Sequence, residues 1–203
     1  MENNNYRDKL ESLLINSFIP RGYKITKGIE LCSIPESSKY EAMNFSINNQ
    51  SIVYRKGKIT EDRPGAFLAI WKRPSSSWII NTNKPIPLQS NELDYLFVQV
   101  EEHANVKSNG KLINNPKQGI FIFPLSVLLE KGIVSSDKKK GKTGFRVFPP
   151  WSDDRGSEGT KIFSESGKKT QRWQLPFYTE IDENGLLNPF RLNEIFEHKS
   201  SEI

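Results

Sequence analysis

Cysteine and histidine are nearly missing from this 203-residue chain. There is one cysteine, Cys32, and two histidines, His103 and His198, far apart. A lone cysteine excludes an intrachain disulfide and suits a reducing compartment, so the chain reads as cytoplasmic. No zinc-type spacing of Cys and His occurs. A Cys/His nucleophile would need Cys32 to meet a distant histidine. Between Leu31 and Ile34, Cys32 reads instead as a small core residue. No stretch approaches the roughly 20 apolar residues of a membrane span. Met1 to Tyr6 is polar and rich in Asn, unlike a secretory leader. The signatures G-x-S-x-G, G-x-x-x-x-G-K-[ST] and G-x-G-x-x-G are absent. No catalytic residue, metal ligand or cofactor is assigned on these grounds.

Aromatic residues and positive charge are what the chain does have. Twelve Phe, six Tyr and four Trp supply core material to a chain only 35% hydrophobic. The net charge is +5, unevenly spread. Residues 1–41 are neutral, residues 42–173 carry +9, and residues 174–203 carry −4. This asymmetry suits either a cationic surface for a polyanion or a solvated lysine coat.

Periodicity predicts an N-terminal helix over 5–18, within residues 1–20, with Leu10, Leu13, Leu14 and Phe18 on one face. Pro20 and Gly22 end it. Strands near 41–47 and 51–58 form a hairpin about Asn48 and Asn49. A third strand falls near 66–73 and a fourth at 92–102. The fourth is apolar on both faces, which places it centrally. Residues 105–119 read as a polar insertion and 120–123 as a fifth strand. A short helix starts at Pro124, and "SSDKKKGKTG", 135–144, is a basic loop. "FRVFPPW" is a sixth strand, "SESGKKTQRWQ" a helix, and Asn188 and Pro189 open a last helix in the acidic tail, 182–203. The expected fold is a single α/β (mixed α+β) domain over 1–203, with a mixed central sheet flanked by helices.

The pattern acid-x-Lys, useful to metal-dependent nucleases, occurs at Asp137 and Lys139 and at Glu197 and Lys199. Composition alone predicts about as many. Asp153 and Asp154 read as loop carboxylates.

Cations interleaved with aromatics carry more information. "RPGAFLAIWKRP" begins apolar on both strand faces and ends with Trp71, Lys72 and Arg73. "VYRKGK" ends its strand with Arg55, Lys56 and Lys58. "GFRVFPPW" places Arg146 among Phe145, Phe148 and Trp151. "KKTQRW" gathers Lys168, Lys169, Arg172 and Trp173, its three cations on one helical face. Cations contact phosphate and planar rings stack on bases. These residues form the candidate nucleic-acid surface, with DNA or RNA as partner. A protein partner or a small anion is the competing use.

"YEAMNFSINNQSIVYRKGKIT", "RPGAFLAIWKRP", "IFIFPLSVLLEKGIVS", "GFRVFPPW" and "KKTQRWQLPFY" together resemble the MepB family, over about residues 40–181. The resemblance implies a small bacterial protein whose founding relative is encoded beside a MarR-type regulator and a multidrug efflux pump. It implies a restriction-endonuclease-like fold and a proposed role in nucleic-acid binding. That fold carries an acid-x-Lys signature on its third strand. Here the strand reads Ile70-Trp71-Lys72, so the lysine is kept and the acid is lost. The resemblance therefore implies a non-catalytic domain of nuclease-like architecture. The alternatives are a nuclease with an atypical site, using Glu41, Asp62 or Asp94, and a regulatory or interaction protein of an efflux gene cluster.

Overall fold

A computed structural model describes residues 5–32, 40–72, 84–102 and 115–197. Arg73, His103 and His198 lie outside the described residues, as does most of the polar insertion.

Helix α1 (Asn5–Ser17) buries Leu10, Leu13 and Leu14 and ends before the turn at Pro20. Gly22 follows at φ 83, a left-handed conformation natural to glycine. Strand β1 (Ile25–Leu31) then lies antiparallel to β2 (Met43–Ile47), which pairs with β3 (Gln50–Lys56). Ile47 pairs with Gln50, so Asn48 and Asn49 are a two-residue loop. Both have positive φ, 49 and 63, as a type I′ hairpin requires and as Asn tolerates. Asn48 also fastens this tip to β1. Its side-chain oxygen Oδ1 accepts from Lys24 N at 2.8 Å, and its backbone N–H donates to Lys24 O at 2.8 Å.

The central strand is β8 (Tyr95–Glu101). It is parallel to β3 and antiparallel to β9 (Gln118–Pro124). Strand β11 (Tyr178–Ile181) completes a six-stranded mixed sheet in the order β1-β2-β3-β8-β9-β11. Both faces of β8 are dry, as its sequence predicts. Tyr95 and Phe97 enter one core with Phe45, Ile120 and Ile122, covered by α1 and by α4 (Pro189–Glu197) through Leu192 and Ile195. Leu96, Val98 and Val100 enter a second core.

That second core is closed by a smaller sheet. Strand β4 (Lys58–Thr60) and β10 (Gly144–Val147) flank β5 (Arg63–Ala69), both antiparallel to it. Ala66, Leu68 and Val147 point into the core, with Leu128 of α2 (Leu125–Glu130). The strand expected over 66–73 is broken at Ile70. Ile70 N donates to Thr143 O at 2.9 Å, and Ile70 O accepts from Leu88 N at 3.3 Å. The chain then joins a separate ribbon, β6 (Trp71–Lys72) with β7 (Ile86–Pro87). The expected mixed central sheet flanked by helices is present, and among the described residues two small sheets accompany it. Helix α3 (Glu165–Gln174) begins at Ser164, whose hydroxyl accepts from Gly167 N at 3.2 Å. No helix among the described residues is long and apolar enough to cross a membrane.

Phe97 is fully buried, with Phe18, Phe45 and Phe196 ringed around it at 5.7–6.2 Å. Phe97→Ala is expected to cost about 3–5 kcal/mol, read as a fall in the urea midpoint.

Candidate functional site

On β3, Val53 and Arg55 share a side, as does Asn44, which pairs with Val53 from β2. On the other approach, Ala69 and Trp71 alternate with the core residues Leu68 and Ile70. These residues enclose a cavity of about 190 Å³, with Lys72, Glu92, Tyr40 and Cys32 also in its wall.

Arg55 dominates this cavity. The residue is only 6% exposed, and one guanidinium nitrogen donates to Tyr54 O at 2.7 Å. Among the described residues no carboxylate pairs with it. Burial pushes the guanidinium below its ordinary value, and the neighbouring Cys32 sulfur opposes that shift. Cys32 in turn accepts from Asn44 Nδ2 at 3.8 Å, while the buried Asn44 Oδ1 has no hydrogen-bond partner among the described residues. Lys72, by contrast, is neutralised by Glu92. Glu92 is held for this, because its second oxygen accepts from Gln89 N at 2.7 Å.

Lys58 adjoins the cavity through Tyr40, its ammonium 5.1 Å from the ring centroid. Lys58 and Arg146 both pair with Phe67, so the three share one outer row of the small sheet. Arg146 is already occupied. It donates to Thr60 Oγ1 at 2.7 Å and Pro64 O at 3.2 Å, with Asp62 at 4.0 Å. Burial lowers its guanidinium pKa and Asp62 raises it.

The basic loop after Ser135 flanks the same region. Thr143 O holds Ile70, Ser135 N donates to Leu88 O at 2.9 Å, and Gly141 N donates to Ser135 Oγ at 2.9 Å. Lys138, Lys139, Lys140 and Lys142 are exposed on this loop. Their sequence reads as a solvated loop. Only the pairing of β10 with β5 and the Thr143–Ile70 bond bring the end of this loop to Ala69 and Ile70.

Lys168, Lys169 and Arg172 are exposed on α3, with Lys168 paired to Glu165 at 2.8 Å. The tryptophans near these cations are engaged elsewhere. Trp173 packs on Phe123 at 5.7 Å beneath the Lys131 ammonium, and Trp151 meets Tyr178 edge-on at 5.8 Å. Both are half-buried against the second core. Of the candidate surface, then, Arg55, Trp71 and Lys72 line one cavity, and Lys58 and Arg146 lie along one row nearby. The α3 cations sit on a separate element.

A family model described as MepB-like matches residues 35–180. The chain belongs to the MepB-like family. The crystal structure of MepB is a solved relative, 25% identical, with a TM-score of 0.55. The alignment covers 76% of this chain and 88% of that one. No curated protein matches.

In this MepB-like chain the carboxylates considered for metal chemistry stand apart. Glu41 pairs with Lys56 at 3.3 Å, and Asp94 accepts from Ser51 N at 2.9 Å. Ser51 and Lys56 are at opposite ends of β3, roughly 16 Å apart at strand rise. Asp62 is exposed beside Arg63 and Arg146. Ile70, the residue before Trp71 and Lys72, is fully buried. Among the described residues, no three His, Cys, Asp or Glu side chains gather to hold a metal.

Gln174 couples α3 to this face. It is fully buried, its oxygen accepts from Phe148 N at 2.8 Å, and its amide donates to Arg146 O at 2.9 Å. Gln174→Leu is expected to cost about 1–3 kcal/mol for each orphaned backbone group. Arg172→Ala, two residues away but exposed, is expected to stay within about 0.5 kcal/mol of the parent in the same denaturation experiment.

Proposed function

We propose that this MepB-like chain binds nucleic acid and does not cleave it. The observation that carries this reading is the corner built at Ile70. There Thr143, next in sequence to the exposed lysines of residues 138–142, holds the backbone of Ile70, the residue before Trp71 and Lys72. A flexible row of ammonium groups tracks a phosphate backbone, and half-exposed rings such as Trp71 and Tyr40 offer faces to unstacked bases. Lys58 extends the row, and the α3 cations Lys168, Lys169 and Arg172 supply further phosphate contacts in the same reading. Arg73 follows Lys72 directly in sequence and is included on that ground. Arg55 is too deeply set to meet a phosphate of a duplex backbone.

The family resemblance groups the fold with restriction-endonuclease-like domains. In that reading Lys72 holds the signature lysine's place, and its pairing with Glu92 replaces the role of activating water. The dispersal of Glu41, Asp62 and Asp94 supports binding over metal-dependent cleavage.

Fluorescence anisotropy with labelled single- and double-stranded DNA and RNA tests the proposal. Binding is expected at low salt, with log affinity falling by ~0.7 to 0.9 per phosphate contacted as log salt rises. Replacing Lys138, Lys139, Lys140 and Lys142 together by Ala is expected to weaken binding and flatten that slope. No binding at low salt to any of these probes would overturn the reading. Unchanged binding by the fourfold variant would move the surface elsewhere. Incubation of plasmid with Mg²⁺ or Mn²⁺ is expected to leave it intact.

A further inference from the structure

The Arg55 cavity has a character that nucleic-acid binding does not require. An arginine stays charged under all ordinary conditions, and a buried charge is costly unless paired. Arg55 has one backbone carbonyl and a neighbouring thiol for company, and the cavity's second cation, Lys72, is already matched by Glu92. Among the described residues, therefore, no carboxylate balances this positive charge. Beside it stands a second unmet demand, the buried Asn44 Oδ1, which calls for a donor. The remaining wall is largely apolar: Ala42, Val53, Ala69 and Leu88, with the rings of Trp71 and Tyr40. At about 190 Å³ the space holds roughly six waters' worth of volume, below the size of drug-like pockets.

We propose that this cavity is a binding site for a small organic anion. The anionic group of the ligand faces Arg55, an N–H or O–H meets Asn44 Oδ1, and a compact planar or apolar body lies against Trp71. An inorganic anion would answer Arg55 but leave the apolar wall unused. A polymer backbone would not reach the guanidinium. The site does not depend on nucleic-acid binding and can be tested without it.

Cys32 supplies the readout, because it is the chain's only cysteine and lies in the cavity wall. The probes are 4-aminobenzoate, its neutral analogue 4-aminobenzamide, and inorganic phosphate. 4-Aminobenzoate is expected to slow alkylation of Cys32 saturably, reaching about tenfold at roughly nine times its dissociation constant. It is also expected to raise the melting temperature. The amide should do neither, and phosphate should protect less than the carboxylate. Arg55→Met removes the charge with little change in volume. It is expected to fold at least as stably as the parent in anion-poor buffer and to lose the response to 4-aminobenzoate. Equal protection by acid and amide, or none by the acid at millimolar concentration, would overturn the proposal on the parent protein alone. Phosphate protecting as well as the carboxylate would overturn the organic part of it. An Arg55→Met protein that still responds to the acid would remove Arg55 from the site.

Discussion

The structure depends on one strand being dry on both sides. Strand β8 exposes neither Tyr95 and Phe97 on one face nor Leu96, Val98 and Val100 on the other. A sheet with such a centre must be covered twice. Helices α1 and α4 cover the first face. The second face receives a small sheet, with α2 and the chain after it. Burying five large apolar side chains from one strand is worth about 1.5–3 kcal/mol each before entropy is charged against it. The second cover carries Lys58, Trp71, Lys72 and Arg146, and it faces Arg55 and Asn44 of the central sheet across the cavity.

Covering a six-stranded sheet with a three-stranded one leaves margins. Strand β5 runs out at Ile70, whose side chain is still core, and its backbone hydrogen bonds go to two neighbours, Thr143 and Leu88. One bond anchors the lysine loop and the other places the ribbon that carries Trp71 and Lys72. The change from apolar to cationic residues at 67–73 thus marks a strand passing from one sheet to another at the edge of the core. Between the small sheet's margin and the β2–β3 side of the central sheet the Arg55 cavity remains open. Charge is divided there with a clear logic. Lys72 is balanced in place by Glu92, while Arg55 is not balanced among the described residues.

Elements with strong local signals were legible in the sequence. The two apolar faces of 93–100 identify the central strand, and Asn48-Asn49 identifies the hairpin. Ser164 and the cations after it identify α3. Strand β1 was missed because only Ile29 is buried within it, so "ITKGIEL" carries no alternation to read. Strand β11 was missed because four residues with one buried position are too few. The candidate surface was legible in part. Trp71 and Lys72 do meet Arg55 in one cavity, but Trp151 and Trp173 turn toward the second core despite standing among cations in sequence. Cys32, expected as a small core residue, is half-buried in the cavity wall instead. Tyr40, Asn44 and Glu92 carried no sequence signal, since each comes from a different segment and is unremarkable alone.

Local pattern sets what a segment buries and where it turns, because helix and strand periods are properties of neighbouring residues. The amino-acid order therefore settled the fold class, the central strand and the family. Which cations stand free, which are matched and which are entombed depends on contacts between residues 20 to 86 positions apart, such as Lys72 with Glu92 and Arg146 with Thr60. Desolvation and ion pairing act through space, so the character of the cavity was decided only when the two sheets closed on each other.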